Sequence, residues 1–162
     1  MDLGDLQKLL DKASEAIPDK VPRIIEVEGL KQIKKNFKTQ GYNDGGLRKW
    51  QKRKTTDKDG NDLTRYRTNR RGSRGSITQF GRRELGRAIL VGHDTGGDKL
   101  INSYRARRSR RQVVFFTYKK YAARHNEGLD GMPKRQHVGR SKDMDDNIGK
   151  KLTKEMDKIM KA

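Results

Sequence analysis

The chain has 162 residues, of which 30 % are hydrophobic and 38 % are charged, and its formal net charge is +19. This length favours one domain, and so polar a composition predicts a thin core that neighbouring subunits help to complete. No apolar run approaches the roughly 20 residues that a membrane-spanning helix needs, so no membrane is expected as a partner. The absence of cysteine excludes disulfides and thiolate metal sites, and it fits a reducing cytoplasm. The acidic, amphipathic N-terminus is expected to be neither a signal peptide nor a transit peptide.

The positive charge is unevenly distributed along the chain. Residues 1–46 carry eight basic and eight acidic side chains, residues 47–87 carry 14 and 4, and residues 88–162 carry 18 and 9. The excess begins abruptly after Leu47. Such a field favours a polyanionic partner or strongly acidic protein neighbours, and the alternative is a basic surface that is merely solvated.

The first 40 residues are predicted to form two helices. Apolar residues recur at helical spacing from Leu3 to Ile17, and Pro18 is predicted to end this run. A second helix is predicted to begin near Pro22, because a proline suits a first turn, and to end at Gly41. The second helix has an apolar stripe that is predicted to pack against a sheet. The stripe consists of Ile24, Val27, Leu30, Ile33 and Phe37.

The segment 41–84 has no sustained hydrophobic period and is predicted to be a long basic loop or arm. Asp59-Gly60 is a good turn dipeptide, so the segment contains either a hairpin at that point or an arm that orders against partners. Trp50 is predicted to pin the start of the loop to the core, and stacking of its ring on a nucleic-acid base is less favoured. The arginines of this segment are candidates for contact with a polyanion or a protein partner. They are Arg65, Arg67, Arg70, Arg71, Arg74, Arg82 and Arg83.

From Leu85 onwards the pattern is typical of β structure. Residues 88–91 predict a short strand, and residues 100–108 and 112–118 predict two longer strands that pair as an antiparallel hairpin. Arginines at and near the hairpin tip would repel one another in isolation, so we expect them to face phosphate, carboxylates or an acidic neighbour. These candidates are Arg105, Arg107, Arg108, Arg110 and Arg111.

The stretch 121–141 is predicted to join a helix to a strand. It reads YAARHNEGLDGMPKRQHVGRS, with a helical turn led by Tyr121 and an extended part that begins at Met132-Pro133. Ser141 is a good N-cap for an amphipathic helix that runs to the end of the sequence. The apolar face of that helix is predicted to pack on the sheet.

Catalytic chemistry is not expected. His93, His125 and His137 are far apart in sequence without a metal-ligand spacing, and no carboxylate pair is placed for acid–base work. His125 precedes Asn126-Glu127 and could be drawn as a base, but a structural hydrogen-bonding role is favoured. The glycine-rich segment 92–97 lacks the lysine of a phosphate-binding loop. The chain is therefore expected to be no enzyme and to bind no cofactor.

Three blocks of the sequence carry a family resemblance. The first, 89–103, reads ILVGHDTGGDKLINS and is similar to the pattern L-v-x-T-G-x-L-x-x-S-I. The second, 121–128, reads YAARHNEG and is similar to Y-A-x-x-H-x-x-G. The third, 132–141, reads MPKRQHVGRS and is similar to i-P-x-R-p-F-l-G-x-S, with His137 in place of the usual aromatic. Together they resemble the tailed-phage virion morphogenesis or tail-completion family, which are small head–tail connector (neck) proteins.

The resemblance implies an α+β fold in which a small antiparallel sheet is flanked by N-terminal and C-terminal helices, with a long basic loop. It implies a structural virion protein, assembled in the host cytoplasm, that forms a six-fold or twelve-fold ring between portal and tail and helps to complete the tail. The implied partners are further copies of the chain, portal or adaptor proteins, tail proteins and DNA in the channel, and no enzymatic activity is implied. The residues implied to build the scaffold are Tyr121, His125, Gly128, Pro133, Arg135, Gly139 and Ser141.

We expect a single domain over 1–162, with a helical part at 1–40, the loop at 41–84, a sheet core at 85–140 and a terminal helix at 141–162. The alternative, from another class, is a free nucleic-acid-binding protein that acts through its arginine-rich loop and hairpin. A nuclease is the least favoured hypothesis, because no carboxylate cluster suits metal-assisted hydrolysis.

Overall fold

The computed structural model describes residues 3–69, 75–91 and 97–161, and these residues form an α+β fold. The helices are α1 (Leu3–Thr39), α2 (Gln79–Glu84), α3 (Leu100–Ser103), α4 (Ala122–Glu127) and α5 (Lys142–Lys161). The strands are β1 (Gly41–Asn43), β2 (Leu47–Lys49), β3 (Arg105–Arg108) and β4 (Val113–Phe116). Within the described ranges, no helix combines the length and the apolar character that crossing a membrane requires.

The prediction of two N-terminal helices is wrong, because α1 runs without a break through Pro18 and Pro22. Each proline removes one backbone hydrogen bond and costs about 3 kcal/mol in a helix interior. Packing of α5 along α1 opposes this cost. The two helices are antiparallel, with Lys35 Nζ 2.7 Å from an Asp143 oxygen near one end and Lys20 bonded to Glu155 further along.

The end of α1 also differs from the prediction, since Gln40 rather than Gly41 adopts the left-handed conformation, with φ of 54°. The Gln40 side chain fastens the turn by donating from Nε2 to the Phe37 carbonyl at 2.6 Å and by accepting from the Ile89 backbone N–H. Gly41 instead begins β1, which pairs antiparallel with β2, Gly41 lying opposite Lys49. The sequence did not predict this hairpin, because strands of three residues are too short to show an alternating pattern.

The predicted hairpin of β3 and β4 is confirmed, although its strands are shorter than expected. The strands pair antiparallel with Arg105 opposite Phe116 and Arg108 opposite Val113. Residues 100–103 are not part of the strand but form α3, whose Leu100 is 1 % exposed in the core. Two separate two-stranded sheets are therefore present among the described residues, where the sequence predicted one small sheet.

Two further predicted strands are absent from the described residues. Residues 88–91 form no strand, since Ile89 and Leu90 make a turn in which Leu90 has a φ of 60°. Their apolar character instead reflects Ile89, which is buried in the core. Residues 132–140 form no strand, so the extended part predicted to begin at Met132-Pro133, which includes Arg135 and Gly139, is not a strand of the fold.

The core lies between the C-terminal half of α1 and the segments that fold over it. Its buried hydrophobic cluster consists of Ile33, Phe37, Trp50, Ile89, Leu100 and Ala122. The prediction that Trp50 pins the following segment to the core is confirmed, since the ring is 6 % exposed and meets Phe37 edge-on. The β3–β4 hairpin lies on α1 with the Phe115 ring directly over Gly29. Of the predicted stripe, Ile33 and Phe37 are buried, whereas Val27 is 42 % exposed.

The segment 41–84 is more structured than the predicted loop. Besides β1, β2 and α2, it contains isolated bridges that join Thr56 to Asp62 and Arg67 to Ile77. The first bridge closes around Asp59-Gly60, so the turn predicted at this dipeptide is confirmed.

Candidate polyanion-binding or partner-binding surface

The outer face of the β3–β4 hairpin combines arginines with exposed apolar side chains. Arg105 and Arg107 lie directly across from Phe116 and Val114, so the four side chains share one face of the ribbon. Val114 is 47 % exposed and Phe116 is 43 % exposed. The Arg107 guanidinium lies 5.9 Å from the centre of the Phe116 ring, which is a cation–π distance. A cationic face with accessible apolar groups suits a polyanion or an acidic protein surface.

The opposite face of the hairpin packs on α1. Arg108 points to this side and its Nη1 donates to Glu26 Oε2 at 2.7 Å. Arg108 therefore ties the hairpin to α1, and its charge is already compensated. Sequence reasoning grouped it with the contact residues, because an alternating pattern does not show which face meets a helix.

The hairpin tip has two arginines that no described residue neutralises. Arg110 and Arg111 are exposed, and neither forms an ion pair or a side-chain hydrogen bond within 3–69, 75–91 and 97–161. Arg105 is also exposed, but its Nη1 donates to the carbonyls of Asn102 and Tyr104 at 2.7 and 2.9 Å. The tip is thus the part of the hairpin where positive charge is most available to a partner.

At the base of the hairpin, the carboxylate of Asp98 is held by two neighbouring side chains. Asp98 accepts from the Tyr118 hydroxyl and from Lys119 Nζ, both at 2.6 Å. The Lys119 and Tyr118 hydrogen bonds lower the pKa of Asp98, so it stays ionised and neutralises Lys119. The available positive charge of the hairpin therefore increases towards its tip.

The arginines predicted to lie in the loop form a second group. Arg65 is exposed, and Arg67 donates from Nη1 to the Gly75 carbonyl at 3.0 Å. Arg82 and Arg83 are exposed on α2, whose first turn is capped by the Thr78 hydroxyl. No hydrogen bond or ion pair joins the side chains of this group to those of the hairpin in the described part of the chain. Three predicted members, together with His93, fall outside the described residues: Arg70, Arg71 and Arg74.

The last motif block is built around His137, which is 0 % exposed. The Tyr104 hydroxyl lies 2.7 Å from His137 Nε2, and Nδ1 lies 2.8 Å from the Arg135 carbonyl. Because a carbonyl only accepts, Nδ1 carries the proton and the Tyr104 hydroxyl donates to Nε2. The rings of Phe37 and Trp50 pack on the imidazole at centroid distances of 5.1 and 6.2 Å. His137 fills the position of an aromatic residue while satisfying both of its ring nitrogens.

The electrostatics of this cluster favour neutral side chains. Burial lowers the pKa of His137 and raises that of Tyr104, so the uncharged forms that their hydrogen bond requires are the stable ones. Burial also lowers the pKa of His125, and the charges of Arg135 and Arg124 add to this effect. Among the buried side-chain nitrogen and oxygen atoms of the described residues, only His125 Nδ1 has no hydrogen-bond partner. The hydrogen bond predicted for the His125 side chain is absent from the described residues, and only the His125 backbone carbonyl accepts a bond, from Arg135 N at 2.7 Å.

Side chains replace strand pairing along residues 132–140. Asn126 Oδ1 accepts from the backbone N–H groups of His137 and Val138, both at 2.9 Å. Trp50 Nε1 donates to the Gln136 carbonyl at 2.7 Å. These bonds satisfy backbone groups of the block and attach it to α4 and to the core, so the block is held in place without a neighbouring strand.

The ends of the 121–141 stretch are fixed by two helix termini. Gly128 ends α4 in the left-handed conformation, with φ of 74°, and its N–H donates to the Arg124 carbonyl. Tyr121 precedes α4 and packs edge-on against His125. The predicted cap of α5 is confirmed, since Ser141 Oγ accepts from Met144 N at 3.1 Å.

Arg135 is the residue whose surroundings sequence reasoning missed. The resemblance implies a scaffold role for it, and the structure shows a charged residue that is only 6 % exposed. The signal in the sequence was its place in the Pro-x-Arg part of the third block, but nothing in the sequence indicated that it would be buried without a carboxylate.

The described residues contain no group of three or more His, Asp or Glu side chains that could hold a metal ion. Three comparisons with known proteins, against family models, curated proteins and solved structures, find no match. The resemblance to the neck family therefore rests on the motif residues themselves.

Proposed function

We propose that the chain is a structural virion protein of a tailed bacteriophage, forming a ring in the neck that joins portal to tail and helps to complete the tail. The observation that most supports this proposal is that the 121–141 stretch folds as one continuous connection from α4 across the core to α5. The second block forms α4 with its glycine cap, the third block crosses the core at His137, and Ser141 starts α5. The residues of the second and third blocks are thus among those that join α1, Trp50 and α5.

The distribution of apolar side chains also supports an assembled state. Among the described residues only nine hydrophobic side chains are buried, while large ones remain exposed on α1, on the hairpin and near the end of α5. Examples are Leu10, Val114, Phe116 and Met160. A subunit that packs against copies of itself and against portal, adaptor or tail proteins would cover such surface.

In this proposal the hairpin is the contact surface for an acidic neighbour or for DNA in the channel. Arg110 and Arg111 supply uncompensated charge at its tip, and Arg107 with Phe116 supplies a mixed face behind them. The scaffold needs no cofactor and performs no reaction. Its role is to hold these surfaces in a fixed relation to α1 and α5.

Purified virions provide the test. The protein should be present in a fixed copy number per particle, and antibody labelling in electron micrographs should locate it between head and tail. Absence from virions, or a variable trace amount on capsid surfaces, would contradict a neck function.

Arg110 and Arg111, which form no ion pair at the hairpin tip within the described residues, support a second candidate function, that of a basic nucleic-acid-binding protein. Binding to duplex DNA should then weaken steeply with salt, because each neutralised phosphate releases counterions. An affinity that barely changes between 50 and 200 mM salt, a range in which six to ten phosphate contacts lose roughly 10³–10⁵ in affinity, would assign the charge to protein contacts.

A further inference from the structure

Arg135 is a recessed cation without a counter-charge. It is 6 % exposed, its Nε donates to the Gln51 carbonyl at 3.1 Å, and its backbone N–H donates to the His125 carbonyl. Within the described residues no carboxylate lies in ion-pair range of its guanidinium, and neither terminal nitrogen forms a hydrogen bond. Arginine is almost never buried unless it is paired, so this arrangement needs an explanation.

The neighbourhood adds positive charge to this site. Arg53 lies close enough for its charge to lower the pKa of Arg135, after the larger effect of burial. Arg53 is itself held by a bond from Nη2 to the Ala88 carbonyl at 2.8 Å. Two guanidinium groups thus share a site that offers them backbone carbonyls but no anion.

The terminal nitrogens of Arg135 are not completely sealed from solvent. The one side-chain polar atom of the described residues that is both sealed from solvent and unpartnered is His125 Nδ1, so the free nitrogens of Arg135 keep contact with solvent. The planar guanidinium fork matches a carboxylate with two parallel hydrogen bonds. Its recessed position favours a single side chain that enters the site over a bulky nucleic-acid backbone.

The chain has exposed carboxylates that suit this role on the N-terminal half of α1. Glu15 and Asp19 are exposed, and neither forms an ion pair within the described ranges. Arg135 lies at the other end of α1, because Gln51 follows Trp50, whose N–H donates to the Gln40 carbonyl. A helix rises about 1.5 Å per residue, so Glu15 is roughly 36 Å from the end of α1 and cannot reach Arg135 of its own chain.

We propose that Arg135, with Arg53 beside it, binds a side-chain carboxylate from the N-terminal half of α1 in a second copy of the chain. This inference rests on the self-assembly in the proposed function and names the residues of its contact. Donor and acceptor lie at opposite ends of one subunit, as a head-to-tail contact in a ring requires, and a two-fold dimer that makes the same contact twice is the other arrangement that satisfies it. Head-to-tail contacts generate closed rings when the rotation between subunits closes.

The experiment compares Arg135→Met with Arg140→Met, which removes the same charge from an exposed residue that lies five positions away. Unfolding of dilute monomer is followed by urea titration, and self-association is followed by sedimentation equilibrium at 150 mM salt. Arg135→Met should leave the monomer as stable as wild type or more so, because an unpaired buried charge is removed, and should weaken association at least tenfold. Arg140→Met should leave association within twofold of wild type.

A charge reversal tests the occupant. Glu15→Lys with Asp19→Lys should weaken association at least tenfold, and adding Arg135→Glu to that variant should restore at least part of the loss. An Arg135→Met monomer that loses stability in step with association would make Arg135 a purely structural residue and overturn the inference. If Arg135→Met associates as tightly as wild type, the inference is overturned but the proposed ring stands. If the wild-type chain itself stays monomeric, the proposed ring is contradicted as well. If inorganic phosphate or acetate raises the melting temperature of wild type but not of Arg135→Met, and association is unchanged, the ligand of Arg135 is a free anion and the inference of a second copy is overturned.

Discussion

The contact between Gly29 and Phe115 gives the sharpest test of how the hairpin sits on α1. A Cβ atom added at Gly29 would lie 2.1 Å from Phe115 Cζ and 2.6 Å from Cε1. Ordinary contacts begin near 3.4 Å, so the ring would have to move by more than an ångström. Gly149 provides a matched control, since it is also inside a helix and a Cβ there would meet nothing within 4 Å.

The two alanine substitutions should therefore have opposite effects on the free energy of unfolding. Replacing a helical glycine by alanine stabilises by about 0.5–1 kcal/mol, and this is the expected gain for Gly149→Ala. Overpacking costs typically 1–3 kcal/mol, so after the same propensity gain Gly29→Ala should be destabilising by up to about 2.5 kcal/mol. Urea unfolding followed by circular dichroism, with both variants at equal concentration, measures the difference.

A second substitution identifies the source of the cost. Phe115→Leu shortens the side chain over α1, so the penalty of Gly29→Ala should shrink in that background. If Gly29→Ala stabilises the protein as much as Gly149→Ala does, the hairpin does not lie on α1 as described, and the position of its outer face would need revision.

The buried histidine, the α5 cap and the hairpin tip each give a further expected outcome. Burial lowers the pKa of His137, so on acidification the unfolded chain binds a proton before the folded chain does. The free energy of unfolding should therefore fall as the pH drops below about 6.5. His137→Gln should weaken this fall between about pH 7.5 and 5.5. Ser141→Ala should cost about 1 kcal/mol in urea unfolding because it removes the cap, whereas the exposed mid-helix change Ser14→Ala should cost far less. Changing both Arg110 and Arg111 to Ala should keep stability within about 0.5 kcal/mol and, where duplex DNA binds, reduce the slope of log affinity against log salt by about two.

Each of these outcomes can be contradicted by a specific result. A stability that is flat across the acidic range would mean that His137 accepts a proton as easily in the folded state as in the unfolded state. Equal costs for the two serine changes would remove the cap as the reason that α5 begins at Lys142. An unchanged salt slope for the tip variant, alongside a reduced slope after changing Arg82 and Arg83 to Ala, would assign the polyanion contact to α2 instead.

Local sequence signals predicted the elements whose stability is decided locally. The β-branched and aromatic run at Val113–Phe116 predicted β4 because a hairpin of adjacent strands needs few distant contacts. Ser141 predicted the start of α5 because a cap acts within one helical turn. The arginines of the hairpin tip could be placed for the same reason.

Distant contacts decided the elements that sequence reasoning missed. Pro18 and Pro22 signal a break, but α5 packs beside α1 and keeps it continuous. The block at 132–140 forms no strand, because its backbone partners are side chains such as Asn126 and Trp50 that lie elsewhere in the sequence. The burial of Arg135 could not be predicted either, because a Pro-x-Arg pattern does not indicate which groups will surround the guanidinium. The ring, its neighbours and the roles of Arg70, Arg71 and Arg74 stay predictions.

The mass of the purified chain in solution tests the central proposal most directly. Native mass spectrometry at micromolar concentration and near-physiological salt should show a closed species of about 112 or about 224 kDa, six or twelve times the 18.7 kDa chain. A single species of 18.7 kDa that persists to the highest attainable concentration would contradict a ring-forming subunit.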